Sequence, residues 1–522
     1  MQVFGCSQNI FKTSATAVQA KSQIIIAPGW DVSAKEGFDP TQGWNYYGNP
    51  LFFSTLLRRD ENMELINDLA ESYNLSDDRK VWKIKIRQDA RFSDSVPLTA
   101  SDVAFTFNQI KQNAGLVDLS ILEKAAATSN YELELRLKQP EFTFLNKLTT
   151  IGIVPKHKYN ENFPRNPIGS GAYKLVQWDN TQQLIIEANP YYYGKKPQIQ
   201  RVVILFTAGD SVFAAAKAGK LQLAQAPQFL ASQKIEGMNL YVTKNKGHYG
   251  LMFPTVPNQG RKTPKGNLIG NDITADRAIR QAVNYAIDRQ KLVKDILQGY
   301  GSPAYGAVAT GFPWEETTST FQDNNVETAK QILTDAGWKD TDDDRILEKQ
   351  GQKAEFSLLY PANEPIRQGL ALAVAQMLEP TGIKVNVEGK SWAEIDRRMH
   401  SNVVMYAMGT RDPQDLQFFY HTAMAKGDFQ NPGYYSNKSV DEAIEKALTA
   451  ASEQEANSFW KQVQWNGETG VSVKGDAASA WLVNTNDTYF VSKCLDIGIP
   501  PDEKKSWGRL LMDNLSDWKW VC

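Results

Sequence analysis

The sequence predicts a multi-domain α/β protein, and three observations carry that expectation. The chain has 522 residues, more than one hydrophobic core normally organises, so two or more cores are expected. Period-two, strand-like runs alternate with apolar stripes of helical period along its second half. A polar interval rich in Gly, Lys, Asn and Pro, at 257–272, divides the chain into two halves.

Taken in order, residues 23–26 form a first short strand closed by Ala27-Pro28-Gly29. At 81–87, Val81, Lys83 and Lys85 alternate with Trp82, Ile84 and Ile86, a half-buried strand. The turn Phe92-Ser93-Asp94-Ser95 follows. Thr99, with Asp102 three residues on, then opens a helix in the manner of a capping box. Residues 131–137 alternate again and stop at Gln139-Pro140. Strands are predicted over 175–187 and 202–206, joined through 189–194 (NPYYYG). Residues 213–219 read as a helix with Gly219 just past its end. Beyond the polar interval, 275–297 is the clearest helical region, with Ala278, Ile279, Ala282, Val283, Ala286 and Ile287 on one stripe. A second stripe at 326–338 stops at Gly337, and a strand at 354–359, a helix at 366–378 and a strand at 383–387 follow. No internal repeat and no low-complexity block is found.

Composition narrows the function. Lys plus Arg number 57 against 59 Asp plus Glu, a net charge of −2, which argues against a nucleic-acid binder or an acidic tail protein. No apolar run approaches the length of a transmembrane helix. The 13 Trp and 20 Tyr suit a large cleft with mixed apolar and polar walls, and equally suit plain cores. Three cysteines without a CxxC pair and four histidines without HExxH give no compact metal motif, and no cofactor is expected. Asp340, Asp342 and Asp344 alternate like the start of a calcium loop. Arg345 and Gly351 stand where an EF-hand needs Gly and Glu, so the segment reads as a solvated turn. Val3-Phe4-Gly5-Cys6 is similar to a bacterial lipobox, although the five residues before Cys6 carry neither a positive nor an apolar leader region. Residues 7–22 have the small, polar character of a tether. With Cys6 acylated, Cys494 and Cys522 remain as a possible pair in an oxidising compartment, or as two free thiols.

Four stretches in the right order carry a resemblance. Residues 82–103 (WKIKIRQDARFSDSVPLTASDV) resemble a strand, "F-x-D-G-x-P-[FL]-T-A-x-D-V" turn and helix, with Ser95 where Gly is usual. Residues 166–206 resemble a "G-T-G-P-Y … W … N-x-x-Y-W-G-x-x-P" segment, with Ala172 for Pro and Tyr193 for Trp. Residues 280–302 are similar to an "R-x-A-[LIV]-N-x-A-I-D-[RK]" helix, and 325–338 to an "A-K-x-L-L-x-x-A-G-W" helix. Together they resemble the large extracellular solute-binding proteins of ABC importers, in the peptide and nickel family.

The resemblance implies a two-lobed periplasmic-binding-protein fold of the Venus-flytrap type. Lobe I would comprise 23–252 plus 478–522, with an inserted subdomain near 60–165, and lobe II would be 253–477, after a tether at 1–22. It implies a periplasmic or cell-surface monomer, lipid-anchored through Cys6, that delivers its solute to membrane permease subunits and needs no covalent chemistry. The expected solute is a peptide or similar small polar compound, or alternatively a nickel or other metal chelate rich in carboxylates. In the loop 404–421, Asp412-Pro413 matches the family's "D-P" step. Gly409 occupies the position at which peptide-binding relatives carry the acid that anchors the peptide's amino group. Arg411 offers a bidentate partner for a carboxylate, or pairs with Asp412 or Asp415 on a lobe surface. Trp30, Trp44, Tyr46 and Tyr47 on strand-end loops, Tyr249 near the crossover and His421 complete the candidate ligand contacts. A secreted peptide hydrolase is the remote alternative, since GxSxG, HExxH, P-loop and GxGxxG are all missing.

Overall fold

The computed structural model describes residues 22–29, 37–43, 51–60, 64–113, 117–207, 209–409, 412–498 and 511–522, apart from the side chains of 244–246. The chain forms two units. The first gathers residues up to 140, 144–243 and 487–522, and the second 141–143 and 244–486.

In the first unit, β1 (Gln23–Ala27) buries Ile24 and Ile26 completely, as its apolar run predicts. The chain then builds a separate antiparallel sheet from β2 (Ala70–Leu75), β3 (Val81–Ile86), β4 (Leu122–Ala127) and β5 (Glu132–Leu137), ordered β2-β3-β5-β4. In β3 the predicted alternation holds from Trp82 onward: Trp82, Ile84 and Ile86 are buried, Lys83 and Lys85 exposed, while Val81, expected on the lysine face, is buried too. Helix α1 (Ala100–Asn113) packs on this sheet through Val103, Ala104, Phe107 and Ile110. Its start is held by Asp102, whose Oδ2 accepts from both the amide and the hydroxyl of Thr99 at 2.9 Å. After α2 (Phe144–Thr150), the chain returns to the main sheet as β6 (Tyr173–Asp179), β7 (Gln183–Ala188), β8 (Arg201–Leu205) and β9 (Leu223–Gln225). The order is β9-β1-β8-β7-β6, and β1 is parallel to both of its neighbours.

The single strand expected over 175–187 is instead the β6–β7 hairpin. Thr181 takes the left-handed conformation at its tip (φ +64°), and Asp179 accepts from the side-chain amides of Gln177 and Gln183, closing the turn. Helix α3 (Asp210–Lys217) joins β8 to β9, with Gly219 left-handed just past its end (φ +68°). The core of this unit combines Ile24, Ile26, Phe38, Phe52, Tyr173, Val202 and Ile204 with Leu515 and Trp518 from the last segment. That segment is bridged to the unit by a disulfide, Cys494–Cys522, with Cα atoms 5.0 Å apart.

Two long strands carry the chain between units. Met238–Met252 passes from the first to the second after Thr243, and Ser479–Ser492 returns after Asn486. The lobe boundaries expected from sequence, 252/253 and 477/478, fall at the second-unit ends of these same strands.

The second unit begins with α4 (Arg277–Ala286), α5 (Arg289–Asp295) and α6 (Val326–Asp335). The helix expected to run through 275–297 breaks at Ile287-Asp288. Asp288 leaves the helical region (ψ 95°), and its side chain accepts from the Lys291 amide, capping a second helix. Then come β10 (Glu355–Pro361), α7 (Pro365–Leu378), β11 (Lys384–Lys390), α8 (Trp392–Arg398) and β12 (Val403–Gly409). The three strands are parallel in the order β11-β10-β12, and the first crossing strand lies antiparallel to β12. Helices α9 (Asp415–Tyr420), α10 (Lys438–Leu448) and α11 (Glu453–Gln464) complete it. Ile279 and Val283 of α4, Leu333 of α6, Phe356 and Leu358 of β10, and Leu370 and Val374 of α7 meet in one core. Among the described residues no helix is long and apolar enough to cross a membrane.

Candidate functional site

The residues of the four motifs hold the scaffold together. Ser95 adopts φ +73° in the 92–95 turn, a conformation natural to the glycine usual there. A Cβ on Gly169 would lie 1.9 Å from the Phe52 carbonyl oxygen, so only glycine fits that approach. Tyr173 is buried and donates to the Ile199 carbonyl at 3.0 Å. Asn189 donates to the Gly171 carbonyl, and the Tyr193 hydroxyl donates to Asp68 at 2.6 Å beneath the Arg87 guanidinium. In the second unit, Arg280 donates to the carbonyls of Thr274, Asp476 and Ala477. Arg289 is fully buried, where desolvation pushes its pKa down, yet it donates to Asn284, Ala304 and Trp481 and pairs with Asp323 at 3.3 Å.

A solute site must therefore be sought elsewhere. In open α/β sheets it lies beyond the carboxyl ends of parallel strands, where the strand order reverses. In the second unit the chain goes from β10 outward to β11 and then back to β12 on the other side of β10. The reversal sets β11 and β12 on opposite sides of β10, with α7 following directly from the end of β10. Residue 367, in the first turn of α7, is the centre of this end. The Arg367 guanidinium carbon sits 5.3 Å from the Tyr249 ring and 5.1 Å from the Trp392 ring, within cation–π reach of both. Arg367 donates to the Met405 carbonyl at 3.0 Å and pairs with Glu364 at 2.6 Å. Trp392, 37% exposed, continues the ladder edge-on to Phe429, 41% exposed. At the end of β11, Glu388 is gripped by both terminal nitrogens of Arg398 at 2.8 and 2.9 Å, which holds its carboxyl down to about 2. Lys390 lies 3.2 Å from the same carboxylate.

In the first unit the equivalent carboxyl ends belong to β1, β8 and β9. Gly29 follows β1 with φ +78°, and a Cβ there would strike the Gln225 side chain at 1.8 Å. Thr207 and Ser211 hydroxyls meet at 2.9 Å after β8.

Of the sequence-predicted contacts, Tyr249 is brought to the Arg367 ladder. His421 is placed otherwise: its Nδ1 accepts from the Ala423 amide at 3.0 Å, and Asp441 and Glu445 lie 3.9 and 3.7 Å from the ring. Trp30, Trp44, Tyr46, Tyr47, Arg411 and Cys6 lie outside the described residues. Trp481 is buried and stacks on His248 at 4.1 Å. Both nitrogens of His248 face oxygens at 2.8 Å, Asn484 Oδ1 and the Gly306 carbonyl, and burial pushes its pKa down to about 4. The ring is then neutral near pH 7 and donates to one of the two. Arg367 and Trp392 escaped the sequence reading. Their signal was a strand ending at Pro361 and a Glu-Pro helix start immediately after it.

Residues 64–430 match the bacterial extracellular solute-binding proteins, family 5 Middle, which is most of the chain. The chain belongs to this family. Protein XP55 of Streptomyces lividans is 32% identical over 448 residues, covering 83% of this chain and 79% of that protein. The oligopeptide-binding protein AppA of Bacillus subtilis is 26% identical over 442 residues, 79% of this chain and 78% of AppA. NikZ from Campylobacter jejuni, crystallised with Ni(L-His), is 25% identical with a TM-score of 0.78, covering 96% of this chain and 99% of NikZ. As a family 5 member the protein has the bilobed α/β fold of periplasmic binding proteins. It is an extracytoplasmic, non-catalytic transport receptor that works with an ABC permease.

Proposed function

We propose that this receptor captures a short peptide or peptide-like solute bearing a carboxylate. Lobe I would be 23–252 with 478–522, and lobe II 253–477. Closure over the solute stabilises one state of the pair, which the permease reads. The observation that carries the reading is the strand-reversal end of the second unit, where Tyr249, Arg367 and Trp392 form a ring–guanidinium–ring ladder. In this reading Arg411 would supply the carboxylate contact, and Trp30, Trp44, Tyr46 and Tyr47 the apolar walls. Acylated Cys6 would tether the receptor to the membrane.

A metal chelate is the second reading, favoured by the 25% identity to NikZ, whose crystal holds Ni(L-His). Because the His421 Nδ1 accepts from a backbone amide, such a metal would arrive already wrapped by its chelator.

Native mass spectrometry of the purified protein, before and after mild denaturation, separates the two. A set of short peptides released on denaturation is the expected result, with Arg411→Ala weakening their binding at least about tenfold. A single species with a nickel isotope pattern would establish the chelate reading instead. An empty protein that hydrolyses peptides would overturn the receptor reading.

A further inference from the structure

Away from the strand ends, the second unit gathers four carboxylates on the turn after α6. One oxygen each from Asp340, Asp342, Asp344 and Glu348 lies within 4.8 Å of the others. The same residues tie down the backbone of the turn: Asp340 accepts from the Arg345 amide at 3.0 Å, and Asp344 from the Ile346 amide at 2.8 Å. The Lys353 ammonium lies against the cluster, 3.1 Å from Asp342 Oδ2 and donating to Asp344 Oδ2.

The second observation comes from Glu348. This residue is 9% exposed, and its Oε2 accepts from the amide and hydroxyl of Thr341, each at 2.8 Å. Its buried Oε1 accepts no hydrogen bond and points into the cluster, 3.8 Å from the Lys353 nitrogen. A buried carboxylate oxygen without a donor is costly, and one ammonium offsets only one of four negative charges. An ammonium also brings three donors, whereas a hard divalent cation takes six to eight oxygens at about 2.3–2.6 Å.

We propose that the 340–348 turn is a calcium site at which Ca²⁺ displaces the Lys353 ammonium and is bound by Asp340, Asp342, Asp344 and Glu348 Oε1. The spacing follows positions one, three, five and nine of a calcium loop, while Gly351 supplies no bidentate acid at position twelve. With that ligand missing and a lysine competing, the affinity belongs to the weak, extracellular class, with Kd on the order of 10⁻⁴–10⁻³ M. The bound ion would fasten the 340–348 turn to the short hairpin formed by Glu348–Lys349 and Gln352–Lys353. This inference does not depend on which solute the receptor carries.

Terbium is the probe, because Trp338, buried two residues before Asp340, can sensitise its emission. The full-length protein, stripped with EGTA, is titrated with Tb³⁺ under excitation of tryptophan. The expected result is a saturable emission, reversed by Ca²⁺ at roughly millimolar concentration and far less well by Mg²⁺. Glu348→Gln and Asp342→Asn should each weaken both ions at least about tenfold, and Lys353→Met should tighten them severalfold. Thermal unfolding in EGTA checks that each variant is folded. Emission that does not saturate, or a midpoint unmoved in folded Glu348→Gln and Asp342→Asn, would overturn the proposal.

Discussion

Ser95 shows how a single residue records a compromise. Its φ of +73° costs an L-residue roughly 1–2 kcal/mol relative to the right-handed region, and the turn holds it there through the Ser95 amide to the Phe92 carbonyl at 2.9 Å. Ser95→Gly should therefore raise stability by about 0.5–1 kcal/mol, the strain relief being partly offset by the greater freedom of glycine when unfolded. Urea denaturation checks this, and a lower midpoint would mean that the Ser95 side chain is contributing. At this scale the scaffold was legible in the sequence and the site only partly so. Arg280, Asn284 and Arg289 stand in a recognisable spacing because each must satisfy fixed backbone groups. Arg367 carries no such mark. A cation in the first turn of a helix reads as solvated until folding sets the rings of Tyr249 and Trp392 on either side of it.

Elements were legible where one face is buried throughout. The alternation of β3 and the stripes of α4 and α6 predict their own burial, because the period of the apolar residues is the period of the backbone. What the stripe could not reveal is the break between α4 and α5. Ile287 continues the apolar face, and only the Asp288 side chain, turned back onto the Lys291 amide, ends one helix and starts another. Side-chain caps of this kind are local stability determinants. Asn437 caps α10 by accepting from the Ser439 and Val440 amides, and it also donates to Thr469 and Asp476 at 2.8 and 2.7 Å. Asn437→Ala should lower stability by about 1–2 kcal/mol. The check is a shift of the denaturation midpoint at unchanged slope; an unshifted midpoint would show that water replaces all four bonds.

For the whole molecule, composition marks only the 257–272 interval as a divide, and the lobe boundaries at 252/253 and 477/478 come from the resemblance. In the structure the chain crosses between units within two long strands, Met238–Met252 and Ser479–Ser492, so its backbone pairing is kept through each crossing. Two units should also unfold with some independence. The Cys494–Cys522 bridge belongs to the first, closing 28 residues of chain that include the fully buried Trp518. Reduction with a phosphine should destabilise that unit by about 3 kcal/mol while leaving the second unit's transition in place. Scanning calorimetry with and without reductant would reveal it as one moved transition and one unmoved. Two equal shifts would mean the units melt as a single body.

The burial of the motif residues has a consequence for how such receptors diversify. The positions by which kinship is recognised are those that touch carbonyls, caps and neighbouring strands, and a change there endangers folding whatever the solute. The Tyr249–Arg367–Trp392 ladder is not among those positions. Two relatives can thus remain plainly alike along most of their length while selection rewrites what they carry, and the degree of overall likeness measures shared ancestry of the frame far better than shared diet.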